Sequence, residues 1–227
     1  MAIDDRLGRG VLLAGAVIGI LGSATTAGSE IPVDPAATGT VISPEAAGVA
    51  QMVTAAEVAA WGRAHRDPGA LIMAARILNE VPVRTGEAAG EAAILTPDRF
   101  LDEAVTYADG SQGVLDAIAS LRGTKRGVRS SPFGQGPIFM VREIRARETW
   151  GFDVEARGGE VLRVAAIGDG DTNIDMSVRD ADGAVVCRDG FGDHYPVCTV
   201  PRTQPGKMRV DIVNRGAIWT KVQILSN

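Results

Sequence analysis

The hydrophobic period of this chain changes to two at Thr149, and that change sets the strongest limit on what it can fold into. Trp150, Phe152 and Val154 alternate with Gly151, Asp153 and Glu155. Ile174, Met176 and Val178 alternate with Asp175, Ser177 and Arg179, and Met208, Val210 and Ile212 form another such set. Successive side chains of a strand point to opposite faces, so each run buries one face and solvates the other. Turn signals separate the runs: Arg157-Gly158-Gly159-Glu160, Asp182-Gly183 and Asn214-Arg215-Gly216, the last leading into Ile218, Thr220, Val222 and Ile224. Residues 148–227 therefore predict a small antiparallel β-sandwich, jelly-roll-like in character.

Residues 44–123 carry the other period. Ala46, Val49, Ala50, Val53, Val58 and Trp61 recur at helical spacing. Arg66-Asp67-Pro68 is a sharp break, with Asp67 placed to cap a second helix and Pro68 in its first position. Thr96-Pro97-Asp98 starts a further helix, and Asp109-Gly110-Ser111 divides it from Val114, Leu115, Ile118 and Leu121. The pattern predicts helical hairpins. The fold class expected is α+β, a small N-terminal helical domain followed by the sandwich. Trp61 and Trp150 read as core residues, and Trp219 as exposed or turned toward the helices.

Between these parts, residues 124–147 read as a basic linker and edge strand. Lys125, Arg126, Arg129, Arg142, Arg145 and Arg147 face one acid, Glu143. The whole chain nevertheless carries 23 Lys and Arg against 28 Asp and Glu, a net charge of −5. Phosphate backbones need a basic face, so nucleic acid is not an expected partner.

The N-terminus has the layout of an export signal over residues 1–28. Arg6 and Arg9 precede an apolar run from Val11 to Leu21, followed by small residues around Ala24 and Ala27. The run falls short of the roughly 20 residues of a membrane span. No stable span is expected after cleavage, with an uncleaved anchor as the alternative. Residues 29–43 read as a flexible segment. Cys187 and Cys198 are the two cysteines, and a close pair in an exported chain favours a disulfide over two reduced thiols. The expected location is periplasmic or extracellular.

Residues 150–227 resemble the bacterial pre-peptidase C-terminal domain, a β-sandwich appended to secreted proteins. The resemblance lies in the opening W-G-F-D-V-E-A with its R-G-G-E turn, in V-L-R-V-A-A-I, in G-D-G-D-T-N-I-D-M-S-V-R-D-A-D-G, and in the late P-R-T-Q-P-G-K-M-R-V-D-I-V-N. The segment between Cys187 and Cys198 lies outside that pattern, and no peptidase motif stands upstream. In that family the module accompanies hydrolases and surface proteins, and some members bind collagen or calcium. The resemblance thus implies an accessory role rather than a catalytic one.

Candidate site residues follow. Asp169, Asp171, Asn173 and Asp175 alternate as calcium ligands do at the start of an EF-hand loop. Ile174 stands where that loop needs Gly and Asp180 where it needs Glu, and the flanks read as strands. What remains is a looser calcium site or, alternatively, aspartates that cap turns. No other cofactor is expected. The loop Arg188 to Val197, closed by the cysteines, is the main recognition candidate through Phe191, Asp193, His194 and Tyr195, and Trp219 is a further binding candidate. Neither His65 nor His194 is accompanied by a G-x-S-x-G, H-E-x-x-H or phosphate-loop motif. The function expected is a non-catalytic module recognising an envelope or extracellular protein or polysaccharide. The alternatives are a hydrolase with its site near His194 and a purely structural component.

Overall fold

Proline and small polar caps set the helices. The structure, a computed structural model, describes residues 39–86, 91–123 and 131–227. The export signal, most of the 29–43 segment and Lys125, Arg126 and Arg129 lie outside the described residues. Helix α1 spans Pro44–His65, with Ser43 Oγ accepting from the Ala46 N–H at 3.2 Å. Helix α2 spans Pro68–Glu80, and the Asp67 carboxylate accepts from the N–H groups of Gly69 and Ala70. Helix α3 spans Pro97–Tyr107 behind a Thr96 cap, and α4 spans Gln112–Gly123. These side chains satisfy N–H groups that a helix start leaves unpaired.

The strands are β1 (Arg84–Thr85), β2 (Ile138–Ile144), β3 (Thr149–Ala156), β4 (Val161–Gly168), β5 (Ile174–Arg179), β6 (Val185–Asp189), β7 (Val197–Pro201), β8 (Gly206–Asn214) and β9 (Thr220–Ser226). They form a five-stranded sheet in the order β1-β2-β9-β4-β7 and a four-stranded sheet in the order β3-β8-β5-β6. All pairings are antiparallel except that of β1 with β2. The alternating residues Ile174, Met176, Val178, Met208, Val210 and Ile212 meet Leu162, Val164, Ala166, Val222 and Ile224 in the layer between the sheets. The expected α+β class with a β-sandwich is what the chain forms.

The segment Val161–Gly168 is buried along nearly its whole length because both of its faces are covered. Val164 and Ala166 face the sandwich layer, whereas Ala165 and Ile167 join Phe139, Val141 and Leu225 under the helices. Helices and sheet thus share one apolar cluster, and Thr38–Asn227 forms one compact unit. Gln223, fully buried on β9, accepts from the N–H groups of Ile94 and Leu95, each at 2.9 Å, and so ties the α3 lead-in to the sheet. Trp61 does not take the core position expected of it. It is 52% exposed and stacks on His65. The buried face of α1 uses Ala55, Ala56, Ala59 and Gly62 instead, and α2 comes so close that a Cβ at Gly62 would sit 3.0 Å from that of Ala70. Trp150 is half-buried against the sandwich layer, with the Arg142 guanidinium over its ring.

Cys187 and Cys198 are bonded, and the bond joins β6, the edge of one sheet, to β7, the edge of the other. It clips the open side of the sandwich. Replacing both cysteines by Ala is expected to lower stability by about 3 kcal/mol, the loop-closure entropy of a ring this size. Urea unfolding of the oxidised protein and the double variant measures it. Coincident midpoints would mean that packing alone holds the two edges.

Candidate binding site at the loop end of the sandwich

Four connections gather at one end of the sandwich: residues 145–148, 169–173, 190–196 and 215–219. Backbone bonds lace them together. The Gly168 N–H donates to the His194 carbonyl at 2.7 Å, and the Ile174 N–H to that of Asp193 at 2.9 Å. The Arg215 N–H donates to the Asn173 carbonyl, and the Asn214 N–H to that of Glu148. Asn214, with no exposed surface, fastens the set. Its Nδ2 donates one hydrogen to the Ile218 carbonyl at 2.7 Å and shares the other between the carbonyls of Ile144 and Arg145, and its Oδ1 accepts from the Gly216 N–H at 2.8 Å.

Between the 145–148 turn and the 215–219 hairpin lies an open groove of about 560 Å³, lined by Arg145, Ala146, Asp171, Ala217, Ile218 and Trp219. Ile218 and Trp219 are each 52% exposed there. Their neighbours 217 and 146 are alanines, so about half of the Trp219 side chain stays open to solvent. The Arg145 guanidinium makes no ion pair among the described residues.

Asp169 and Asp171 meet at the edge of this groove. The Thr220 hydroxyl donates to Asp169 Oδ1 at 2.7 Å, and the Lys221 N–H to Oδ2 at 3.2 Å. Burial would raise the Asp169 carboxyl, but hydrogen bonds from Asp171, Thr220 and Lys221 outweigh it and hold it below the usual carboxylate value. Asp171 moves the other way, raised by burial and by its hydrogen bond to, and repulsion from, Asp169. Two adjacent carboxyls cannot both ionise freely, and here Asp171 keeps the proton longer.

The four expected calcium residues are only partly brought together. Asp169 and Asp171 touch, whereas Asp175 is held by Arg215 Nε at 2.7 Å and the Asn173 Oδ1 is buried without a partner among the described residues. No three His, Cys, Asp or Glu side chains gather as a metal site among the described residues.

In the disulfide-closed loop the candidates diverge. Phe191 is 92% exposed at the tip. The Asp193 carboxylate caps the Tyr195 N–H at 3.1 Å, and Tyr195 packs against the helix-side core. His194 is turned inward against Tyr195, and burial lowers its pKa below the usual imidazole value despite Asp193. It lines a void of about 10 Å³ with Ala56, Arg63, Arg99, Ile167 and Asp169. Arg63 is spent there on a paired contact with Glu103, at 2.6 and 2.9 Å. Such a void holds about one water molecule and no substrate. The sequence singles out Trp219 but not Arg145, Ala146 and Ala217, which line the groove with it. Arg145 stood out only as part of the basic segment.

No protein-family model matches the chain, and no curated protein does. Among solved structures, the chain is similar to the pre-peptidase C-terminal domain of a collagenase from Bacillus anthracis, at 4% identity and a TM-score of 0.32, over 39% of this chain and 87% of that one. A second is PliG of Aeromonas hydrophila, a periplasmic inhibitor of g-type lysozyme, at 14% identity and a TM-score of 0.29, over 40% and 86%. A third is the Yersinia pseudotuberculosis-derived mitogen, at 9% identity and a TM-score of 0.23, over 36% and 86%. None reaches a TM-score of 0.5, and none carries a function to this chain.

Proposed function

We propose that this chain is an exported, non-catalytic binding module that recognises its partner through the loop end of the sandwich. The observation that carries this reading is the contrast between the two concave places described above. The groove beside Trp219 has about 560 Å³ and a half-exposed indole, whereas the void beside His194 has about 10 Å³. Ligand clefts have volumes of the first order and not of the second. The disulfide supports an oxidising compartment. The outer face of the four-stranded sheet is a poorer candidate, because several of its charges pair with one another: Asp153 with Lys207 and Arg209, and Asp211 with Arg179 and Arg209.

Trp219→Ala in the full chain is expected to reduce capture of envelope material about tenfold, since a buried-on-binding Trp is a typical hot spot. Its melting temperature should stay that of the wild type, and His194→Ala should capture normally. Equal capture by Trp219→Ala, or a hydrolytic activity lost in His194→Ala, would sink the reading.

A further inference from the structure

The groove is chemically lopsided, and its polar groups say what it takes. At one rim stands Arg145, whose guanidinium makes no ion pair among the described residues. Three arginines nearby are occupied: Arg179 and Arg209 with Asp211, and Arg215 with Asp175. Arg147 on the same turn is likewise without an ion pair among the described residues, and the Glu148 carboxylate of that turn is engaged by the Arg145 backbone N–H at 2.7 Å. A guanidinium fork matches a carboxylate with two parallel hydrogen bonds. In the groove itself the half-exposed Trp219 offers a flat apolar face. Asp171 also lines the groove and can exchange hydrogen bonds with hydroxyls.

One ligand chemistry satisfies all three groups. We propose that the groove binds a carboxylated sugar residue of an acidic polysaccharide, with the ring stacked on Trp219, its carboxylate on Arg145 and a ring hydroxyl on Asp171. This rests on the reading of the loop end as the binding surface. A pyranose has an apolar C–H face for the indole and a rim of hydroxyls for the carboxyl. The groove is open, which suits one residue of a polymer that continues past both sides. A neutral sugar would leave Arg145 unused. A purely apolar protein segment would leave both Arg145 and Asp171 desolvated and unpaired, which costs free energy.

The test uses the full chain with polygalacturonate as the acidic polymer and dextran as the neutral one, followed by affinity electrophoresis and calorimetry. Saturable binding of polygalacturonate and none of dextran is expected. Arg145→Gln should weaken it about tenfold, the scale of one charge-assisted contact. Trp219→Ala should abolish it, and both variants should melt as the wild type does. Arg142→Gln, a charge change away from the groove, should bind normally. Equal binding of dextran, or equal losses in Arg142→Gln and Arg145→Gln, would overturn the assignment. If polygalacturonate does not bind while Trp219→Ala still lowers envelope capture, the sugar assignment fails and the loop-end reading stands. If Trp219→Ala changes neither readout, both fail.

Discussion

Asn214→Ala is expected to destabilise the protein by about 4 kcal/mol and to lower its melting temperature by roughly 10 °C. The side chain has no exposed surface and bonds groups from two separate connections, Ile144 and Arg145 on one and Gly216 and Ile218 on the other. Truncation strands three carbonyls and one N–H in a place water does not reach freely, and each stranded group costs about 1–3 kcal/mol. Asn214→Asp sharpens the point. It keeps the acceptor for the Gly216 N–H but turns the donor edge into a carboxylate oxygen facing carbonyls, so it should be at least as damaging. The neighbouring Arg215→Ala, which loses an ion pair to Asp175 half in solvent, should cost less than about 1 kcal/mol. Urea midpoints of the three variants decide the matter. The same contacts hold the two walls of the Trp219 groove together, so the surviving folded Asn214→Ala should also bind polygalacturonate more weakly. An Asn214→Ala variant as mild as Arg215→Ala would show that the walls are set by the strands alone.

The architecture was legible where one rule decided it. Period-two alternation marks β3, β5 and β8 because each has one face in the sandwich and one in solvent. Pro68 and Pro97, each behind a capping side chain, mark helix starts because a proline without an N–H is tolerated only there. The helix-covered sheet was not legible as such. Val161–Gly168 reads as a strand, but only the packing of α1 on it shows that its second face is buried. The short strands β6 and β7 were not legible as strands, and the 188–197 loop takes in only Arg188, Asp189 and Val197 of them. The site was half legible for a related reason. Trp219 shows itself by standing out of phase with Ile218 and Val222. Its partners Arg145 and Ala146 are more than 70 residues away, on a turn that composition describes as a linker. Asn214 looks like an ordinary turn residue, and its burial follows from the β2–β9 and β3–β8 pairings that bring the Ile144 and Ile218 carbonyls to it.

Gly136→Ala is expected to be the most damaging methyl group that can be added to the described chain, at about 4 kcal/mol or more. Two independent effects act there. Gly136 has φ of 75°, a region that L side chains rarely adopt, and a Cβ would lie 1.6 Å from the carbonyl oxygen of Pro82. That neighbour is backbone, so no rotamer change relieves the collision. The 133–137 turn would have to lift away from the α2–β1 connection. It would then lose the bond from Arg84 Nε to the Gly136 carbonyl at 3.1 Å and the bond from the Arg84 N–H to the Pro137 carbonyl at 2.9 Å. These bonds lead directly into the β1–β2 pairing of Arg84 with Ile138. Gly113→Ala on α4 is the matched control. Nothing lies within 4 Å of its Cβ position, so the methyl should be neutral or stabilise by up to about 1 kcal/mol. Thermal unfolding of the two variants separates collision from composition: Gly136→Ala should melt far below the wild type and Gly113→Ala at or above it. A Gly136→Ala protein that melts with the wild type would mean that the turn does not pack on Pro82 in solution.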